Sequence, residues 1–327
     1  MVRKFIIDTD TASDDAVALI MALRWVDVEV EAITVVSGNV TVDQATRNAL
    51  YVTDLCGKAT PVYKGAPKPL LRPTAHAEWF HGKDGLGDIG YPPPTRQPEV
   101  KHAVDGMIDT IRANPGIVLV TLGPLTNVAL ALGKAPDIAA NVSRCVIMGG
   151  AACTSGNVTP AAEYNIWCDP EAADIVFRSG LPIEMVGWEL CRGQANLLPE
   201  EIALIRGFGT DLAVFSMDCN RRAHQATQEQ SGDPGLGLPD PVAMSIALDP
   251  SICTASSAHH IAVETAGVYT RGMTIVDRFG VAPDVRNAAI WEPYLRGPQA
   301  GQGEPKTRVC WQIDIARWKE ALYSVLR

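Results

Sequence analysis

Phe5-Ile6-Ile7-Asp8-Thr9-Asp10-Thr11-Ala12-Ser13-Asp14-Asp15-Ala16 runs from a short apolar stretch into a cluster of carboxylates, and Ala16 to Leu23 follows with almost nothing polar in it. The first stretch predicts a buried strand, the polar residues a turn, and the second stretch a helix. The alternation continues downstream. Val28 to Val36 reads as strand, Val42 to Cys56 as helix, Ile117 to Leu122 as strand and Leu125 to Leu132 as helix. Cys145 to Met148 (strand), Pro170 to Phe177 (helix) and Ile183 to Val186 (strand) extend it. Strands alternating with helices predict an α/β fold, an open and mostly parallel sheet flanked by helices. Ligands of such sheets bind at the carboxyl ends of the strands, which is where the aspartates fall.

No internal repeat and no charge-biased linker divides the chain, so residues 1–327 read as one domain. Hydrophobic residues make up 47% and charged residues 20%, the composition of a packed globular body. A formal net charge of −9 argues against a broad basic surface and so against nucleic acid polymers as partners. The eight cysteines are scattered without CxxC or zinc-like spacing and read as reduced, mostly buried thiols. The first apolar run is too short for a signal-peptide core and no run reaches membrane-spanning length, so the expectation is a cytoplasmic protein without membrane contact. Residues 65–100, rich in proline and carrying the glycine-rich stretch His81-Gly82-Lys83-Asp84-Gly85-Leu86-Gly87, and residues 226–238 break the alternation. Long loops in compact enzymes are usually functional.

Asp8, Asp10, Asp14 and Asp15 place four carboxylates within eight positions at a strand end and helix start. Their mutual repulsion calls for a positive charge among them, and oxygen-only ligands favour a hard cation, Ca²⁺ or Mg²⁺. Helix capping by Ser13 or Asp14, with acidic residues in the first turn, is the alternative; it covers Asp14 and Asp15 but leaves Asp8 and Asp10 unexplained. Asp240 opens another apolar helix after Pro239 and could be a cap or a ligand. The strand ending Val120-Thr121-Leu122-Gly123-Pro124 exposes carbonyls that could ligate a hard cation. In Glu163-Tyr164-Asn165, the acceptor and amide side chains share a face if the segment is extended, a pairing suited to sugar hydroxyls. Asn39 and Asn157 could serve similarly, although asparagines in turns are commonly structural. Of the histidines, His81 lies beside Trp79 and Phe80 and could face a planar ligand. His224 reads as exposed, and His102, His259 and His260 as surface or strand-edge residues.

Taken together, Asp8-Thr9-Asp10-x-x-x-Asp14-Asp15, Gly38-Asn39, Gly123-Pro124-Leu125-Thr126-Asn127, Met148-Gly149-Gly150, Glu163-Tyr164-Asn165, Asp169-Pro170-Glu171-Ala172-Ala173 and Asp240-Pro241 resemble the inosine-uridine preferring nucleoside hydrolase family. The resemblance runs nearly end to end, through Gly272-Met273-Thr274 to a closing helix from Asp314 to Leu326. It implies a Rossmann-like core, tightly bound Ca²⁺ and a homodimer or homotetramer. It also implies hydrolysis of the N-glycosidic bond of ribonucleosides to base and ribose. By matching position, Asp10, Asp15, Asp240 and the main-chain carbonyl of Leu122 would hold the calcium. Asp10 would also take the proton of the calcium-polarised water, with Asp14, Asn39, Met148, Asn157, Glu163 and Asn165 around the ribose; His81, read from its place beside Trp79 and Phe80, is a further candidate for contact with the substrate. An oxocarbenium-like transition state is expected.

Two departures from the family pattern matter. The usual Asp-x-Asp-Pro-Gly is Asp8-Thr9-Asp10-Thr11-Ala12 here, which leaves the carboxylates in place. Many relatives carry a histidine immediately before the aspartate matching Asp240, thought to protonate the departing base; here it is Pro239, which has no proton to give. Either His81 or His224 supplies that help, or the base leaves without it. Trp79 and Trp167 are candidates to stack on a purine. Two rival readings stand beside this one: a haloacid dehalogenase-type phosphohydrolase with Asp8 as nucleophile and Mg²⁺, and a ribonucleoside-binding protein that has lost turnover.

Overall fold

Phe5, Ile6 and Ile7 are completely buried, as a strand covered on both faces requires. The computed structural model describes residues 2–281, residue 286 and residues 307–327. Its strands are β1 (Arg3–Thr9), β2 (Val28–Val35), β3 (Val62–Lys64), β4 (Ile117–Thr121), β5 (Val142–Met148), β6 (Ile183–Val186), β7 (Cys253–His259), β8 (Ile261–Val263), β9 (Thr274–Val276) and β10 (Thr307–Ile313). Eight of them form one sheet in the order β3-β2-β1-β4-β5-β6-β10-β7. All neighbours pair in parallel except β7, which runs antiparallel to β10. β8 and β9 form a separate antiparallel ribbon.

Successive side chains of β1 enter opposite layers. Phe5 and Ile7 join the core shared with helices Ser13–Arg24, Val42–Leu55, Pro239–Leu248 and Ile315–Leu326; Ile6 joins the core shared with Ala103–Ala113, Thr126–Lys134 and Pro170–Phe177. The chain leaves β1 toward β2 and β3, then returns on the other side of β1 as β4. That reversal opens a crevice at the carboxyl ends of β1 and β4, where parallel sheets bind ligands.

Two helices without a solvent face aim at this crevice. Ser13 to Leu23 are all buried, as is Asp240 to Leu248, and the two helices pack against each other. A helix apolar all round has to lie inside the protein. Their N-termini therefore meet below the sheet's carboxyl edge.

The alternation predicted from β1 through β6 matches the observed elements, except that β3 and helix Ala103–Ala113, between residues 62 and 113, were not anticipated. The parallel return of β10 beside β6 and the antiparallel edge β7 were not anticipated. His259 ends that edge strand, whereas His102 caps helix Ala103–Ala113, its Nδ1 accepting from Val104 N–H at 3.2 Å. Among the described residues no helix is long and apolar enough to cross a membrane.

Candidate active site

Helix Ser13–Arg24 begins after Ala12, which has no capping side chain, so the expected caps Ser13 and Asp14 lie inside the first turn. Asp15 does the capping instead. Its Oδ2 accepts from Ala12 N–H at 2.9 Å and its Oδ1 from the Thr9 hydroxyl at 2.5 Å. Asp14 lies in the same first turn, where the backbone N–H groups of Asp14, Asp15 and Asp240 favour its charged form, but its Oδ1 is buried and has no hydrogen-bond partner among the described residues. Asp240 sits in the first turn of helix Pro239–Leu248 and makes no side-chain cap there. The capping alternative thus accounts for Asp15 and for part of Asp14, and leaves Asp14 Oδ1 and Asp240 unexplained.

Asp14, Asp15 and Asp240 each place a carboxylate oxygen within 4.8 Å of the other two. At that spacing, and an effective dielectric constant of about 20, each pair of charges repels by about 3 kcal/mol. Three pairs would cost about as much as a whole domain's net stability. The protein relieves this by holding protons: burial pushes Asp14 and Asp15 up to about 6 and Asp240 well above the usual carboxylate range, with Asp14 and Asp15 adding repulsion to Asp240. A hard divalent cation would relieve it equally well. The all-oxygen donor set and the unpartnered Asp14 Oδ1 fit such an ion.

Asp10 follows β1 beside this triplet. One of its oxygens, Oδ2, accepts from Asn39 N–H at 2.6 Å, while Oδ1 is buried without a partner among the described residues. Burial and then the charge of Asp15 raise its pKa well above the usual value. Glycines flank it from two loops. A Cβ at Gly38 would lie 2.1 Å from Asp10 Oδ2 and one at Gly123 2.6 Å from Oδ1. Asp8, one pleat earlier, has a different job. Its Oδ1 accepts from the Thr34 hydroxyl at 2.6 Å and from Asn127 Nδ2 at 2.8 Å, tying β1 to β2 and to the helix after β4. It is fully buried behind the crevice.

The opposite wall comes from the ends of β4 and β5 and the segment after them. Glu163 and Asn165 do not lie on an extended strand; Tyr164–Cys168 is a helical turn with Glu163 as its N-cap. Glu163 accepts from Asn165 N–H, Ile166 N–H and Gly150 N–H at 2.8, 3.2 and 2.8 Å, and burial raises it to about 7. Asn165 Nδ2 donates to the carbonyls of Leu122 at 2.7 Å and Met148 at 3.2 Å, stitching β4 to β5. The Leu122 carbonyl keeps a second lone pair for another partner. Asn157 is exposed and its Oδ1 accepts from Tyr164 N–H at 2.9 Å.

His81 is the histidine the fold brings to the carboxylates. Buried at the end of the short helix Glu78–His81, it places Nδ1 2.8 Å from Ser13 Oγ and 3.9 Å from Asp14 Oδ1. Burial lowers its pKa to about 4, so the ring is neutral near neutrality. His224 is partly exposed and bonded to the Pro234 carbonyl at 2.8 Å. Trp79 is 64% exposed. Sequence reasoning gave Thr9, Thr34, Asn127 and Asn220 no role of their own and Ser13 only that of a helix cap, yet all five hold these groups in place. Asn127 alone carried a signal, as the last residue of the Gly123–Asn127 motif.

A sequence model of the inosine-uridine preferring nucleoside hydrolase family matches residues 5–320. The pyrimidine-specific ribonucleoside hydrolase RihA of Shewanella woodyi is 39% identical over 295 residues, covering 89% of this chain and 93% of that protein. An uncharacterized protein of Schizosaccharomyces pombe is 39% identical over 277 residues, covering 84% of this chain and 89% of that protein. Among solved structures, a plant nucleoside hydrolase superposes with a TM-score of 0.90 at 31% identity, covering 100% of this chain and 99% of the other. A purine-preferring ribonucleoside hydrolase from Gardnerella vaginalis gives 0.87 at 33% identity, covering 99% and 98%. With a matching family model, full-length relatives and the same fold around an aspartate cluster that could hold a metal ion, the chain belongs to the inosine-uridine preferring nucleoside hydrolase family and is an N-glycosyl hydrolase.

Proposed function

We propose that this enzyme is a calcium-dependent hydrolase of the N-glycosidic bond of ribonucleosides, with Asp10 as the general base. The observation that carries the reading is Asp10 itself. One oxygen is pinned by Asn39 N–H, and the other is buried, unpartnered among the described residues and beside the Asp14–Asp15–Asp240 triplet. A carboxylate with raised proton affinity and a free lone pair is suited to accept a proton from water.

Asp10, Asp15, Asp240 and the Leu122 carbonyl would hold the calcium, with Asp14 near enough to share it. Bound there, Ca²⁺ would polarise the water and grip the ribose 2′- and 3′-hydroxyls. Asp10 takes the water's proton as its oxygen attacks the anomeric carbon. The surrounding carboxylates stabilise the positive charge that builds on the sugar, an oxocarbenium-like state. Asn39, Met148, Asn157, Glu163 and Asn165 surround the ribose, and Asn157 has to exchange its bond to Tyr164 N–H for one to substrate. His81 is assigned to the base, because His224 is engaged elsewhere. The reading includes a cytoplasmic homodimer or homotetramer, for which Val268, Tyr269 and Phe279, each 89% exposed, supply apolar surface.

The phosphohydrolase alternative requires Asp8 to attack a phosphate. Its full burial and its bonds to Thr34 and Asn127 speak against that role. The test is release of reducing sugar from inosine, guanosine, uridine and cytidine, beside p-nitrophenyl phosphate, with and without chelator. Ribose release that vanishes with chelator and returns with calcium supports the reading; phosphatase activity without ribose release overturns it.

A further inference from the structure

Ser13 is completely buried one position after the N-cap of its helix. Its carbonyl is clamped by Asn220 Nδ2 at 3.1 Å and Cys219 Sγ at 3.5 Å. Asn220 is fully buried and also donates to the Ser216 carbonyl at 2.9 Å. A hydroxyl in such a place needs an acceptor for its hydrogen. Among the described residues the group within reach is His81 Nδ1, at 2.8 Å. Ser13 therefore donates and Nδ1 accepts, which leaves the single proton of a neutral imidazole on Nε2.

The hydroxyl decides between two tautomers. Asp14 Oδ1 lies 3.9 Å from the same Nδ1, too far for a hydrogen bond but the nearest alternative partner. Without the Ser13 donor, a small ring rotation lets Nδ1–H donate to Asp14, and Nε2 becomes an acceptor. We infer that Ser13 is a positioning residue that keeps the His81 proton on Nε2, where a neutral imidazole N–H is available to the departing base. This inference rests on the hydrolase reading above and adds a hydrogen-bond donor for the leaving base, without the proton transfer that Pro239 also cannot make.

The balance of the step is simple. Water's oxygen bonds to the anomeric carbon and its proton goes to Asp10. The electron pair of the breaking carbon–nitrogen bond goes to the base, whose acceptor atom takes a hydrogen bond from His81 Nε2–H. His81 keeps its proton, and the base draws its own from solvent.

The test uses the full chain carrying ¹⁵N-labelled histidine, with His81→Gln to assign the His81 signals. The wild type is expected to show an unprotonated Nδ1 and a protonated Nε2; Ser13→Ala moves the proton to Nδ1, and Ser13→Thr restores the wild-type pattern. In parallel, Ser13→Ala is expected to lower kcat on inosine and uridine by about tenfold or more, with p-nitrophenyl riboside, whose leaving group needs no help, held within about twofold. Ser13→Thr recovers the natural substrates. A protonated Nδ1 in the wild type overturns the inference, and so does an equal loss by Ser13→Ala on all ribosides. Failure of the hydrolase reading would look different: no riboside turned over by the wild type, with the tautomer still readable.

Discussion

Gly38 packs against Asp10 so closely that a Cβ added there would lie 2.1 Å from Asp10 Oδ2. The clash is with an oxygen already held by Asn39 N–H and with Pro124 Cδ at 2.8 Å, so neither neighbour can move away cheaply. Gly38→Ala is expected to displace Asp10 from the Asn39 N–H and to lower kcat by about a hundredfold or more, with the fold kept. Gly133→Ala is the control, since nothing lies within 4 Å of a Cβ at that position. Turnover and circular dichroism on both variants check the claim; unchanged turnover in Gly38→Ala would show that the pinch has no role.

The carboxylate triplet makes stability depend on pH. Without a cation, the folded chain holds protons on Asp14 and Asp15 up to about 6, whereas the ordinary value of 3.8 applies once it unfolds. Between those values the folded state binds more protons than the unfolded one, so stability falls as pH rises through that window. Calcium bound among these carboxylates, as proposed, would take the place of the protons and remove this fall. Thermal melts across the window, with chelator and with calcium, measure it. A chelated protein that gains stability as pH rises from about 4 to 6 would refute the electrostatic account of the cluster.

Asp8 and Asn127 form a structural pair. Asn127 Nδ2 serves Asp8 Oδ1 and the Val35 carbonyl, and its Oδ1 accepts from Ala66 N–H at 2.9 Å. Asn127→Ala strips all three bonds from buried groups, an expected loss of about 3 kcal/mol read from urea unfolding. Asp8→Asn is far milder, because Asp8 Oδ2 has no partner among the described residues and an amide can replace it. That variant is expected to keep nucleoside turnover within about tenfold of wild type. Its complete inactivation would revive Asp8 as a reacting group.

Much of this was legible in the chain. β1 to β6, save the short β3, are mostly buried, and apolar runs between turn residues announce such strands. β7 (Cys253–His259) is not legible, because an edge strand half open to solvent needs no apolar run: its residues alternate between partly buried and exposed. The parallel seat of β10 beside β6 is a tertiary fact without a local signal. In the site, Asp10, Asp14 and Asp15 stand close in sequence and declare themselves. Glu163 misled, since a carboxylate that caps a helical turn looks the same on paper as one on a strand. The Ser13–His81 bond joins residues 68 positions apart and could be seen only after folding.

The central claim is that Asp10 removes the water's proton while the carboxylate site holds the sugar. The most direct measurement is single-turnover ribose release from inosine by calcium-loaded wild type and Asp10→Ala, with ribose binding measured alongside. The account predicts a loss of about a thousandfold or more in the rate of the chemical step, against continued nucleoside binding. Near-normal turnover in Asp10→Ala would contradict it.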